Sequence, residues 1–258
     1  MTEPVAFITG ASRGIGKQLA VDFAKRGYDI VCVARSTGDQ PTRLPGTVDE
    51  TADLVRVEGR RALAVGADLS SEDDCRAAVE QAYGELGRID VLINNAAIAP
   101  TGASLEQPMR RWRLAVEINL NAPFLLMTEI CPRMVEAGHG RVINISSRVA
   151  VEPGFGRASY TTTKRALEAL TESLAVELQG RSVSVNAIRL EVDVWTEGYA
   201  FTLGEDADTS KFEDPIVMSD ACLWIADQPA DYSGNIVTIA DLRALGAVRP
   251  PTPFVKRT

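Results

Sequence analysis

The chain has 258 residues, enough for one large domain, and its 45% hydrophobic and 24% charged composition is that of an ordinary globular protein. A net charge of -8 works against phosphate backbones and anionic bilayers, so neither nucleic acid nor a membrane is an expected partner. One histidine excludes a multi-His metal site, and four scattered cysteines with no CxxC pair exclude a disulfide framework or a zinc site; no metal is expected, and a cytoplasmic location is.

Met1-Thr2-Glu3-Pro4 runs straight into Val5-Ala6-Phe7-Ile8, without the basic start and long apolar stretch of a secretory leader. No apolar run reads as long enough to cross a membrane. Short β-branched runs predict strands at Val5–Thr9, Asp29–Val33, Ala62–Val65, Val91–Asn94, Arg141–Ser146, Val183–Ile188 and Ile236–Ile239. Most are continuously apolar, as parallel strands buried on both faces must be. The intervening stretches are long enough for crossover helices. The expected fold is α/β: a single-domain Rossmann-type doubly wound parallel sheet of about seven strands, helices on both faces, spanning residues 1–248, with 249–258 an extended tail.

The first predicted strand ends in Thr9-Gly10-Ala11-Ser12-Arg13-Gly14-Ile15-Gly16, and a helix is expected over Lys17–Arg26. Gly10 permits a tight turn, Gly14 a close approach to a pyrophosphate and Gly16 close helix–strand packing; the free amides of the helix start hold the negative charge. Binders of an unphosphorylated ribose place an acid near the end of the second strand. Here that end reads Val33-Ala34-Arg35-Ser36, so Arg35, with Arg13 on the other side, is placed to pair with a 2′-phosphate. The following 36–46 stretch is rich in turn formers and longer than a usual connection.

Further along, Asn119 interrupts a helical stretch, and His139 in Ala137-Gly138-His139-Gly140 reads as a polar turn residue. The strand Arg141–Ser146 leads into Ser147 at the C-terminal edge, where open α/β sheets bind ligands. Tyr160 and Lys164, four apart on a helix expected over Tyr160–Leu178, share a face; a nearby cation lowers a phenol pKa and suits it to proton transfer. The segment Trp195–Pro215 lacks a clean period. It carries the lid candidates Trp195, Tyr199, Phe201 and Phe212, and six acids, Glu197, Glu205, Asp206, Asp208, Glu213 and Asp214, against Lys211 alone.

These residues together resemble the short-chain dehydrogenase/reductase family over nearly the whole chain. The resemblance rests on the Thr9–Gly16 turn, Asp68-Leu69, Asn94-Asn95-Ala96-Ala97, Asn119, Ser146-Ser147 and Tyr160-Thr161-Thr162-Thr163-Lys164, with 13 residues from Ser147 to Tyr160. Within the family the chain is most similar to the group containing hydroxysteroid dehydrogenase-like protein 2, through Leu44-Pro45-Gly46-Thr47 and Gly234-Asn235-Ile236-Val237.

The resemblance implies an oxidoreductase that moves a hydride between NADP(H) and a carbonyl compound or secondary alcohol, made apolar by the aromatic lid candidates. It makes Tyr160 the acid or base. Lys164 lowers its pKa and holds the nicotinamide ribose, Ser147 orients the substrate oxygen, and Asn119 holds a water leading to Lys164. It implies cofactor contacts at Gly10, Ser12, Arg13, Gly14, Ile15, Gly16, Arg35, Asp68, Leu69, Asn95, Ala96, Tyr160, Lys164 and Thr196. It also implies a homotetramer or homodimer packed through the helices ending near Glu136 and Leu178. Two departures from the family pattern stand out: Ala97 stands where NNAG has glycine, and the usual Pro-Gly after the sixth strand is absent from Ile188-Arg189-Leu190-Glu191-Val192-Asp193-Val194-Trp195-Thr196. A cofactor-binding regulator with impaired catalysis, and a lyase or epimerase on the same scaffold, remain alternatives.

Overall fold

Apolar runs without alternation lose water on both faces only inside a two-sided sheet. The computed structural model, which describes residues 3–203 and 208–254, places each of them there. The strands are β1 (Val5–Thr9), β2 (Asp29–Ala34), β3 (Ala62–Gly66), β4 (Val91–Asn94), β5 (Gly140–Ser147), β6 (Val183–Leu190) and β7 (Ile236–Thr238). They form one parallel sheet in the order β3-β2-β1-β4-β5-β6-β7. The order reverses between β1 and β4, which opens a crevice at their C-terminal ends.

The helices are α1 (Gly14–Lys25), α2 (Val48–Val57), α3 (Glu72–Leu86), α4 (Met109–Val116), α5 (Ala122–Ala137), α6 (Ala158–Glu177), α7 (Glu197–Leu203), α8 (Ile216–Ala226) and α9 (Ile239–Ala244). Leu19 and Phe23 of α1, Val48 of α2, Ile225 of α8 and Leu242 of α9 pack in one core with Ile8, Ile30 and Ile143. Val79 of α3 and Leu126 and Ile130 of α5 pack in the other with Phe7, Leu92 and Val142, and Leu170 and Leu174 of α6 lean on it. Fully burying a side chain such as Phe7 or Leu92 contributes roughly 1.5–3 kcal/mol, so these two layers rather than helix propensity hold the sheet.

The run Met109–Ala137 is helical throughout and, by length and composition, apolar enough to cross a membrane, which corrects the expectation that no stretch would be. Half of its most apolar window is buried in the fold. Ala115, Ile118, Leu126, Ile130 and Met134 all lie in the interior, as in the core helix of a two-layer α/β fold.

His139 sits at the opposite end of the sheet from the crevice. Its ring meets the Asp90 carboxylate and Arg88, and Asp90 also accepts from the Val5 amide at 2.7 Å. All four cysteines are buried and unpaired; burial pushes the Cys32 and Cys131 thiols up to about 12 and Cys75 to about 11. Residues 249–254 lie against the body: Arg249 pairs with Asp220, and the Phe254 amide donates to the Phe212 carbonyl at 2.8 Å.

Candidate active site

The turn after β1 is shaped by what it cannot accommodate. A Cβ on Gly16 would lie 2.2 Å from the Gly10 carbonyl oxygen, so only glycine lets α1 start this close to the strand. Thr9 ties the turn to the end of β4, its hydroxyl accepting from the Asn95 and Ala96 amides at 3.0 Å each. The Asn95 side chain returns a bond to the Thr9 carbonyl at 2.8 Å. Gly10, Ser12, Arg13, Gly14, Ile15 and Gly16 thus line one side of a cleft of about 320 Å³. Arg35, Asp68, Leu69, Asn95, Ala96 and Thr196 line it too, so every cofactor contact expected from the sequence outside the Tyr160–Lys164 pair opens onto one groove.

Arg13 does something the sequence did not announce. Its Nε donates to the Pro45 carbonyl at 2.8 Å, and its Nη2 reaches Thr42 Oγ1 at 2.8 Å and the carbonyls of Leu44 and Gly46 at 3.1 and 3.0 Å. It is a clasp for the long loop after β2. Gly46 completes the fit: with φ at 95° and a would-be Cβ 2.4 Å from the Ser12 carbonyl, it lets the loop lie against the phosphate turn. Nη1 of Arg13 has no protein partner among the described residues, and Arg35 nearby is exposed. Burial lowers the Arg13 pKa, Glu197 of α7 opposes this, and Arg35 adds to the lowering as a neighbouring like charge.

The second cluster sits where β5 ends. Ser147 terminates the strand, and its hydroxyl shares a hydrogen bond with the Tyr160 phenol on the first turn of α6. Lys164, one turn on and fully buried, donates to the Ile145 carbonyl at 2.6 Å, its ammonium 5.7 Å from the centre of the Tyr160 ring. Burial lowers Lys164 to about 8, with Glu168 opposing. Asn119 lies in a π-helical turn, Glu117–Asn121, between α4 and α5. Its Oδ1 accepts from the Ile98 amide at 2.8 Å; its Nδ2 donates to the Ile98 carbonyl at 2.9 Å and to Thr163 Oγ1 at 3.1 Å. Such turns inside α-helices are frequent at functional sites.

The sign of one expectation is reversed. The Tyr160 pKa is raised, because burial outweighs the Ser147 hydrogen bond and the Arg157 charge, both of which favour phenolate. The Lys164 ammonium faces the ring and bonds a backbone carbonyl instead of the phenol oxygen.

Both departures from the family pattern are accommodated. The one non-glycine residue with positive φ among those described is Ser182, so Ala97 adopts an ordinary backbone. Without Pro-Gly, β6 runs on to Leu190, pairing Arg189 with Ser146 and Leu190 with Ser147. Glu191 then accepts from the Ile239 and Ala240 amides at 3.0 and 2.6 Å and caps α9. Trp195 is buried, not a lid surface: it stands 5.0 Å from Phe212 and 5.6 Å from Phe254, ring centre to ring centre. Tyr199 and Phe201 on α7 are exposed. Of the six acids in that segment, Glu205 and Asp206 lie outside the described residues.

Residues that sequence reasoning passed over are Glu168, Arg189 and Glu191. The i,i+4 spacing of Tyr160, Lys164 and Glu168 was the available signal for the first.

Comparison with known proteins agrees with this geometry. The family model for short chain dehydrogenase matches residues 4–193. The chain is 31% identical to hydroxysteroid dehydrogenase-like protein 2 of Xenopus tropicalis over 92% of its own length, and it spans only 56% of that relative. A short chain dehydrogenase structure from Mycobacterium thermoresistibile is 27% identical, with a TM-score of 0.86 over 95% of this chain and 88% of that one. A structure from Beutenbergia cavernae, named as an NAD(P)-dependent gluconate 5-dehydrogenase with NADP bound at low occupancy, is 28% identical, with a TM-score of 0.80 over 94% and 97% of the two chains. Sheet order, glycine turn and the Ser147–Tyr160–Lys164 cluster have the same explanation as these likenesses: the chain belongs to the short-chain dehydrogenase family, whose members are oxidoreductases.

Proposed function

We propose that the protein is an NADP(H)-dependent oxidoreductase that reduces an apolar carbonyl compound, or oxidises the matching secondary alcohol, with Tyr160 as the acid or base. The observation that carries this reading is the meeting of Ser147, Tyr160 and a buried Lys164 at the C-terminal edge of β5. The dinucleotide groove runs along the same edge of the sheet.

The groove fits a dinucleotide. The Gly10–Gly16 approach, which any Cβ on Gly16 would fill, supports a pyrophosphate against the start of α1. Leu69 and Asp68 suit the adenine side, and Thr196, beside Gly14, the nicotinamide side. The free Nη1 of Arg13 and the exposed Arg35, with no acid at the end of β2, favour a 2′-phosphate. The NADP held by the Beutenbergia cavernae protein is consistent with this preference.

When bound, the nicotinamide supplies or accepts the hydride. The chain's own residues do the rest. Ser147 donates to the substrate oxygen and steadies charge developing there. Tyr160 gives that oxygen its proton in reduction; its raised pKa keeps the phenol protonated at neutral pH, the form a general acid needs. Lys164 places a buried positive charge behind the phenol ring, and it is the residue that would hold the nicotinamide ribose. Asn119 spends both Nδ2 hydrogens on Ile98 and Thr163, so it fixes the α4–α5 turn against α6, and a proton path past it would use main-chain groups. Tyr199 and Phe201 on α7 are exposed, and the Arg43 guanidinium lies 4.7 Å from the centre of the Phe201 ring; an apolar substrate is the one these rings suit.

The test is cofactor oxidation with a panel of aliphatic, alicyclic and aromatic ketones and β-ketoacyl thioesters at neutral pH. Turnover of an apolar member with NADPH is expected. No turnover of any member with either NADPH or NADH, by protein shown to bind cofactor, would contradict the reading.

A further inference from the structure

Behind the catalytic cluster lies an ion pair that the reaction as described does not use. Glu168 stands one turn beyond Lys164 on α6 and is 3% exposed. Its Oε1 accepts from the Ser146 hydroxyl at 2.7 Å and from Arg189 Nε at 2.9 Å; its Oε2 accepts from Arg189 Nη2 at 2.8 Å. One carboxylate therefore joins the helix that carries Tyr160 and Lys164, the strand that ends in Ser147, and the strand extension that replaces Pro-Gly. A buried carboxylate that accepts a bidentate guanidinium and a hydroxyl is satisfied and geometrically fixed.

We propose that Glu168 and Arg189 are a positioning pair for this active site: they pin the Ser146–Ser147 end of β5 to α6 and set a balanced negative charge behind the Lys164 ammonium. The proposal rests on the roles given above to Tyr160 and Lys164. The pair has two separable consequences. Mechanically, Ser147 is held in register with Leu190 because its neighbours Ser146 and Arg189 are both tied to Glu168. Electrostatically, Glu168 favours charged Lys164 against the burial that disfavours it. The groups facing this region are few. Tyr160 and Glu168 flank Lys164 along α6, and Ile145 of β5 offers only its carbonyl. Arg189 of β6 and, at 4.0 Å, Arg165 offset the Glu168 charge, while Glu172 and Asp241 act on Arg189.

The two partners should then act on Lys164 with opposite sign. Removing the Glu168 charge favours neutral Lys164; removing the Arg189 charge leaves Glu168 unbalanced and favours charged Lys164. A purely structural loss would move both variants the same way.

The experiment measures NADPH affinity by fluorescence titration from about pH 7 to about 10.5. It uses the full chain in a Tyr160→Phe background, so that the phenol does not titrate, and records thermal unfolding in parallel. Affinity is expected to fall as pH rises past about 8, where Lys164 loses its proton. Glu168→Gln should bring that fall about one pH unit lower, and Arg189→Met should move it higher. An unmoved midpoint in Glu168→Gln, or a shift of both variants in one direction, overturns the proposal. If Glu168→Gln does not fold, Arg189→Met decides alone, and a lowered or unmoved midpoint counts against the pair. Absence of any alkaline fall in the parent protein would instead refute the role of Lys164 at the ribose, and the proposal with it.

Discussion

Lys164 and Ile145 are joined by a 2.6 Å hydrogen bond from the ammonium to the main-chain carbonyl, inside a site where the lysine is fully buried. A charge so placed is costly to the fold. The pKa falls from 10.5 to about 8 because burial penalises the protonated form.

The sign follows from linkage. Between about 8 and 10.5 the unfolded chain holds this proton and the folded chain does not, so this residue's contribution to stability rises with pH across that window. Below it the cost is fully present, on the order of 3 kcal/mol. Lys164→Met should therefore raise the melting temperature at pH 7 by several degrees while weakening NADPH binding at least about tenfold. Differential scanning fluorimetry and titration on the same sample check both; a lower melting temperature would mean that the lysine stabilises the fold.

The preference for NADP(H) over NAD(H) is expected to sit on Arg35 more than on Arg13, because most of the Arg13 guanidinium is engaged by the 42–46 loop. Arg35→Asp should reverse the preference. Arg13→Ala should weaken both cofactors, since it releases the loop as well as the charge. Fluorescence titration with each cofactor decides this. Equal affinities in the parent protein, or an Arg13→Ala variant that loses only NADP(H), would go against it.

Gly16→Ala should reduce affinity for either cofactor at least about tenfold, because the added methyl meets the Gly10 carbonyl oxygen at 2.2 Å and backbone must move to admit it. Near-normal titration of that variant would show that the turn is not the pyrophosphate support.

Much of this was legible beforehand, for physical reasons. A parallel strand buried on both faces has no choice but to be apolar throughout, so Val5–Thr9 and Val91–Asn94 announced themselves to the residue. The glycine turn is written in three positions close together. What stayed hidden depends on partners far apart in the chain. Arg13 clasps residues 42–46 only because Gly46 folds that loop back onto the turn, and Glu168 meets Arg189 only once α6 and β6 are side by side. The Tyr160 pKa was expected to fall because spacing reveals the neighbouring cation; burial, which dominates, belongs to the folded state. Trp195 read as a lid residue because nothing local signals that Phe254 packs on it.

Assembly is expected to be homo-oligomeric. Phe124 on α5 and Val176 on α6 are large apolar side chains left in solvent, and Ala169 and Ser173, exposed on α6 seven and three residues before Val176, give that helix a small-residue face. Sedimentation should show a dimer or tetramer of the 27.8 kDa chain at micromolar concentration, and Phe124→Glu should shift it toward the monomer. A parent protein that stays monomeric at that concentration would contradict this.

The most direct test of the account is Tyr160→Phe, read by turnover on a ketone that the parent protein reduces and by NADPH titration on the same preparation. The substitution removes one oxygen, the one expected to deliver the proton. Turnover should fall by at least about 100-fold, while NADPH affinity changes little, because the phenol takes no part in holding the pyrophosphate or the 2′-phosphate. A Tyr160→Phe protein that binds NADPH normally and still reduces the ketone at near-parental rate would show that the proton comes from elsewhere and would contradict the central claim.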